Sequence, residues 1–215
     1  MTVLMDIYDR LNTFFGDLHW WPGESALEMI VGAILTQNTA WRNVERTLSI
    51  LKYKGLLSVD TLYRVQENIL AENLRPAGYF RIKAQRLKAL VAFFQEFYGG
   101  SLECMFAEDL STLRNKLLTV KGVGEETADS ILLYAGKKPI FVVDAYTRRI
   151  LAGHKIIHDR ASYSDIQTLF MSQLPEDVPL FNQYHALLVN TGKQFCRRAP
   201  NCTDCPLSPL LEQLP

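Results

Sequence analysis

Lys121-Gly122-Val123-Gly124 and Asp144 combine a possible anion-binding turn with a carboxylate further along the chain. Two glycines around one valine allow a tight turn with positive φ, and backbone amides ahead of a following helix can then approach an anion closely. A phosphate fits such a turn. Further on, the apolar run Ile140–Val143 delivers the carboxylate of Asp144. A carboxylate held there could stabilise a developing cation, or align and deprotonate a water. Each feature also has a plain structural role. A short Gly-Val-Gly between helices is common, and Asp144 ahead of Ala145-Tyr146-Thr147-Arg148-Arg149 is a good helix N-cap. The combination, in this order, carries more information than either part.

Two further groups could do chemistry. Cys196, Cys202 and Cys205 are separated by five and two residues and end in Cys205-Pro206. In a chain whose start, with Asp6 and Asp9, does not read as a secretory leader, such crowding points to metal or cluster ligation before disulfides, and to a cluster before zinc on three cysteines and an outside ligand. Cys104 stands apart and reads as a small buried hydrophobe. Trp20, Trp21 and Trp41 are all of the tryptophans, and they flank one apolar segment, where they either pack in the core or offer faces for stacking.

The segments that carry these groups are helical, because apolar residues recur at three and four rather than at two. Leu110, Leu113 and Leu117 form one helix before the glycine turn. Ala128, Ile131, Leu132 and Ala135 form the next, closed by Gly136 and followed by Pro139. Upstream, Ile7, Leu11, Phe14 and Phe15 share a helix that Gly16 ends, and Trp20-Trp21-Pro22-Gly23 makes a turn. Leu27, Ile30, Val31, Ile34 and Leu35 give a nearly uncharged helix, of the kind that usually lies at the centre of a domain. Thr36-Gln37-Asn38-Thr39 interrupts it, and Trp41, Val44, Leu48 and Leu51 line its successor. A short helical piece spans Leu70 to Leu74, and Gly78-Tyr79-Phe80 leads into a helix carrying Leu87, Leu90, Val91 and Phe94. After Asp144, helices are expected to about Ala152, from Tyr163 to Leu174 and from Phe181 to Gly192. The fold class expected is all-α.

Composition sets the outer limits. The 215 residues are 48% hydrophobic and 21% charged, enough for one large domain or two small ones. No apolar run is long enough for a membrane span, and a cytoplasmic protein is expected. Lys plus Arg and Asp plus Glu are both 23, so the net charge is zero and does not by itself announce a nucleic-acid binder. Basic residues do gather locally, at Arg81, Lys83, Arg86, Lys121, Lys137, Lys138, Arg148, Arg149, Lys193, Arg197 and Arg198, where they could meet a phosphate backbone.

Helix, Gly-Val-Gly hairpin, helix, Pro139 loop and Asp144 together resemble the helix-hairpin-helix DNA glycosylases of the endonuclease III superfamily. The patterns Trp20-Trp21-Pro22-Gly23 and Leu35-Thr36-Gln37-Asn38-Thr39-Ala40-Trp41 look like its monofunctional 3-methyladenine branch. The resemblance implies a two-lobed fold with double-stranded, damaged DNA bound across the cleft. One lobe would be a six-helix unit of residues 24–130, and the other would be built from residues 1–23 and 131–215. It implies Asp144 as the catalytic carboxylate, and Trp20, Trp21, Trp41 and Glu126 around a flipped base. Lys121, Gly122, Val123 and Gly124 would contact the DNA backbone. Gln37 and Tyr79 would enter the duplex where the base has left, offsetting part of the few kcal/mol that flipping costs. A nucleoid-associated monomer is expected.

Two departures qualify the resemblance. Bifunctional members place a lysine in the second helix of the motif, where this chain has Glu126, and a carboxylate cannot form an imine with the sugar. Excision of alkylated purines is therefore expected, since a cationic base leaves readily and stacks well on indole faces. Cluster-bearing members hold [4Fe–4S] with four cysteines, whereas here Leu211 stands where a fourth could be, so Cys196, Cys202 and Cys205 are candidate ligands lacking an identified fourth. The chemistry itself requires no cofactor.

Overall fold

The computed structural model describes residues 2–20, 23–197 and 199–211. Among them it is helical throughout, with no strand. In chain order the helices are α1 (Val3–Phe15), α2 (Ala26–Leu35), α3 (Trp41–Tyr53), α4 (Val59–Arg64), α5 (Glu67–Asn73), α6 (Phe80–Tyr98), α7 (Leu102–Ala107), α8 (Leu110–Leu118), α9 (Glu125–Ser130), α10 (Ala145–Gly153), α11 (Tyr163–Gln173), α12 (Val178–Gln194) and α13 (Ser208–Leu211). A 3₁₀ turn at Arg75–Ala77 precedes α6, and α9 runs on as a π-helical segment, Ile131–Ala135. The chain forms two compact units, residues 21–138 and residues 1–20 with 139–215.

In the central unit α2 is the hub, because Ile30, Val31, Ile34 and Leu35 leave it no solvent-facing stripe. It packs on α3, α6, α9 and the π segment. Ser25 starts it by accepting the Glu28 amide. Leu87, Leu90, Val91 and Phe94 form the buried face of α6, at the spacing of an amphipathic helix, and Gly99 ends it with a left-handed cap. The apolar spacing of Leu113 and Leu117 likewise buries α8.

The terminal unit is built from both ends of the chain. Leu4, Ile7 and Leu11 of α1 are fully buried, each contributing about 1.5–3 kcal/mol relative to exposure. The Tyr184 hydroxyl donates to the Leu4 carbonyl at 2.7 Å, and the Gln183 amide donates to Asn12 Oδ1 and to the Gly16 carbonyl. Phe141 stacks on Phe170 with ring centroids 3.8 Å apart. Gly192 lets α10 and α12 approach, since a Cβ there would fall 2.2 Å from the Tyr146 ring.

Candidate functional site

The hairpin lies in the central unit, between α8 and α9. Only Gly122 of its two glycines uses positive φ, at +90°, whereas Gly124 is extended and N-caps α9. Gly122 is needed for space as well, because an added Cβ would meet the Arg86 side chain at 2.3 Å. Arg114 of α8 fixes the approach of α9 through a two-pronged bond to the fully buried Asp129, with Nε–Oδ1 2.7 Å and Nη2–Oδ2 3.0 Å. Breaking one side of such a pair would leave a buried charge and costs about 3–5 kcal/mol. Lys121 is exposed at the turn, and Val123 is buried beneath it. Glu125 and Glu126 occupy the first turn of α9, where carboxylates suit the helix dipole, and Glu126 is exposed.

The loop carrying Gln37 is tied to this hairpin, and the loop carrying Tyr79 is joined to the Gln37 loop by the Thr39 hydroxyl, which donates to the Ala77 carbonyl. The Gln37 amide nitrogen donates to the Gly122 carbonyl at 3.1 Å and to Thr127 Oγ1 at 3.0 Å, and its oxygen accepts from Arg86. Gln37 therefore braces the hairpin within this unit, and reaching a base would require giving up these partners. Tyr79 lies in the neighbouring loop with a left-handed backbone, φ 47°, and its side chain is 70% exposed. A non-glycine residue in that conformation stores strain that the surroundings must hold.

Lys83 supplies much of that hold. Expected among the phosphate-facing cations, it is instead 1% exposed. Its ammonium donates to the Leu35 carbonyl at 2.8 Å, the Ala77 carbonyl at 2.7 Å and the Thr39 hydroxyl. Those acceptors belong to the two loops that carry Gln37 and Tyr79. Burial, with a smaller contribution from Arg86, brings the Lys83 ammonium down to about 8. Trp41, the first residue of α3, is half-buried and donates from its indole to Glu45 at 2.8 Å.

Asp144 lies in the terminal unit. The preceding run Ile140–Val143 is buried, and α11 side chains satisfy its backbone: Tyr163 Oη accepts from the Val143 amide, and Gln167 donates to the Phe141 carbonyl. Asp144 caps α10, its Oδ1 accepting from the Thr147 amide at 2.7 Å and the Thr147 hydroxyl at 2.9 Å. Its Oδ2 lies 3.6 Å from Nε2 of His185, an ion-pair distance rather than a hydrogen bond. Burial alone would raise the Asp144 carboxyl, but His185 together with the Thr147 amide and hydroxyl outweighs it and holds the group below its ordinary value. One oxygen thus serves the fold while the carboxylate stays charged. His185 was not singled out from sequence, since a lone histidine between Tyr184 and Ala186 on an apolar helix carries no periodic signal.

Trp20 belongs to the same unit, with the Lys193 ammonium 5.4 Å above its ring. It helps line an open cavity of about 540 Å³ whose walls include Tyr8, Asn12, Asp17 and Gln183 but not Asp144. Trp21 and Arg198 lie outside the described residues. Cys196, Cys202 and Cys205 come together around a second, much smaller cavity of about 20 Å³. Among the described residues no three His, Cys, Asp or Glu side chains converge as they stand on a metal position. The cavity is close to the roughly 10–15 Å³ that one water needs, so a four-iron cluster does not fit these residues.

The chain matches the family model for the HhH-GPD superfamily base excision DNA repair protein over residues 31–176. It is 44% identical to a putative DNA repair glycosylase of Methanocaldococcus jannaschii, over 95% of this chain and 94% of that one. It is 26% identical to a thymine-DNA glycosylase of Aeropyrum pernix, over 89% and 84%. Among solved structures, the H. pylori 3-methyladenine DNA glycosylase MagIII bound to 1,N6-ethenoadenine superposes with a TM-score of 0.76 at 26% identity, covering 89% of this chain and 97% of that one. A trapped endonuclease III–DNA covalent intermediate shares the fold, with a TM-score of 0.81 at 21% identity over 96% and 94%. The hairpin, the capping aspartate and these likenesses agree: the chain belongs to the HhH-GPD superfamily of base excision repair proteins and is a DNA glycosylase.

Proposed function

We propose that this DNA glycosylase is monofunctional and removes alkylated purines of the 3-methyladenine type from double-stranded DNA. The observation that carries the reading is the exposed carboxylate of Glu126 at the second position of α9, where imine-forming members of the superfamily hold a lysine. Lys121 precedes the hairpin and meets phosphate. Water is then the nucleophile. As the bond between the base and the anomeric carbon breaks, the charged Asp144 stabilises the cation on the sugar and takes the proton of the incoming water through Oδ2. His185 and Thr147 keep the carboxylate charged for that task. A purine alkylated on a ring nitrogen departs as a neutral base and needs no strong general acid.

Trp20, Trp21 and Trp41 are the proposed stacking faces, with a cation–π contribution of roughly 0.5–2 kcal/mol for a desolvated cationic base. Tyr79, exposed in its strained loop, fills the gap left by the flipped nucleotide, and Gln37 moves from its brace to the orphaned partner base. The likeness to the H. pylori 3-methyladenine enzyme supports the substrate class. The protein acts as a monomer at the chromosome, in the cytoplasm, and its chemistry uses no cofactor.

The test is a panel of duplexes carrying methylated purines, oxidised pyrimidines or mismatched bases, assayed for strand cleavage with and without alkali. Cleavage of the methylpurine strand that depends on alkali is expected. Alkali-independent cleavage of an oxidised-pyrimidine strand would replace this reading with a bifunctional one, and no cleavage of any substrate would leave a DNA-binding module.

A further inference from the structure

Trp41 opens α3, and its indole N–H donates to Glu45 Oε1, one turn further along the same face, at 2.8 Å. Both residues belong to the central unit. The bond lies at the surface, where water would serve the indole as well, so burial does not require it. As a pair four residues apart it steadies the helix only slightly. Its choice of partner is more informative. The exposed carboxylates of Asp60 and Glu72 each close an ion pair with a nearby arginine. Glu45 has Arg42 three residues back, within reach on the same helix, yet it turns to the indole.

A carboxylate in that position changes the ring in two ways. Bonded to the N–H, it pushes electron density into the indole and strengthens the negative face that attracts a cation. It also sets a negative charge at the ring's edge, with Oε2 left to accept from a ring N–H or exocyclic amino group of a stacked purine. A hydrogen bond to a charged acceptor is stronger than a neutral one. The indole fixes the carboxylate beforehand, so little ordering is needed when a base arrives. On a surface that takes up DNA, a carboxylate opposes the phosphates and weakens binding. Arg42 and Arg46, both exposed and flanking Glu45 in sequence, offset that repulsion.

We propose that Glu45 is a specificity-determining residue of this glycosylase: its carboxylate, held at the edge of the Trp41 ring, selects an extruded purine that carries a positive charge over one that is neutral. The inference rests on the reading of Trp41 as a stacking face. Glu45 breaks no bond. As the base leaves, its positive charge passes to the sugar, so the carboxylate favours extrusion and capture of the cationic base rather than cleavage. The departed base is neutral and is no longer attracted, which lets the product go.

The test compares wild type with Glu45→Gln, which keeps an oxygen for the indole N–H and removes the charge. Single-turnover excision is measured over a range of enzyme concentrations on duplexes carrying a methylated, cationic purine or neutral 1,N6-ethenoadenine. Affinity for abasic-site duplex, which has no base to stack, and a thermal melt are measured alongside. For the cationic lesion the ratio of maximal rate to half-saturating concentration should fall on the order of fivefold, mainly through the half-saturating concentration. Excision of the neutral lesion, abasic-site affinity and melting temperature should stay close to wild type. A folded Glu45→Gln protein with an unchanged ratio for the cationic lesion would overturn the proposal, even if Glu45→Ala is impaired, because the contact would then only pack. Equal losses on the cationic lesion and on abasic-site duplex would overturn it too, by showing that the charge does not read the base. Failure of the underlying reading looks different: Trp41→Ala excises the methylated purine like wild type, or wild type does not excise it, and the proposal falls with that reading.

Discussion

Asp144 divides its carboxylate between two neighbours: Oδ1 is held by Thr147, while Oδ2 faces His185 Nε2 at 3.6 Å. The first contact belongs to the fold and the second to electrostatics, so a substitution that preserves one while removing the other separates the two roles. Asn is nearly as good an N-cap as Asp, whereas Ala costs about 0.5–2 kcal/mol.

Asp144→Asn should therefore melt close to wild type and bind abasic-site DNA comparably. Its single-turnover excision should fall on the order of a hundredfold or more, the loss typical when a positioned electrostatic group is removed. Single-turnover kinetics beside a thermal melt check this, and substantial activity in the folded variant would reduce Asp144 to a cap.

The contrast between Asp144 and His185 indicates what sequence can and cannot disclose. A cap is a local matter: an Asp ahead of a helical run is readable, and so are the long amphipathic faces of α6 and α8. The short helices α4 and α7 left no periodic trace, since each buries a single side chain, Leu62 and Met105. Lys83 looked like a surface cation because charge alone does not reveal that three acceptors surround it. His185 matters through a partner distant in the chain, and it has no sequence pattern.

His185→Phe should move the acid limb of the excision profile to higher pH. Asp144 is held below its ordinary value, so the stability it contributes is present above the unfolded carboxyl value near 3.8 and is lost as pH falls through the lower folded value. Burial already pushes the carboxyl up most, and without His185 only the Thr147 amide and hydroxyl oppose it, so the carboxyl rises. A pH profile of the single-turnover rate reads this directly, and an unmoved acid limb in a folded variant would mean that His185 only packs.

Lys83 predicts opposite responses of stability and function to alkaline pH. Its folded value, about 8, lies below the ordinary lysine value of 10.5. Between these values the unfolded chain holds more protons, so this group makes stability rise with pH through that window. In the folded protein, deprotonation leaves two N–H donors for three acceptors, and the grip on the Gln37 and Tyr79 loops loosens. DNA affinity should accordingly weaken as pH passes about 8 while the melting temperature does not fall with it. Lys83→Met should flatten the alkaline limb of binding. Fluorescence-anisotropy titrations at several pH values test this, and an unchanged limb in Lys83→Met would place its origin elsewhere.

Glu126 decides the reaction class. Imine formation requires an amine whose lone pair attacks the anomeric carbon, and the residue at that place in α9 is an exposed carboxylate. Wild-type protein incubated with lesion-bearing duplex and borohydride should give no covalent complex, and its product strand should stay intact until alkali is added. Glu126→Lys changes an exposed side chain, so the fold should tolerate it. An amine introduced there should yield a borohydride-trapped band, provided that Asp144 still supports departure of the base. The double variant Glu126→Lys, Asp144→Asn should then lose the band, because the imine forms only as the base leaves. Trapping by wild type that disappears in Lys121→Ala would assign the nucleophile to the hairpin lysine and make the enzyme bifunctional.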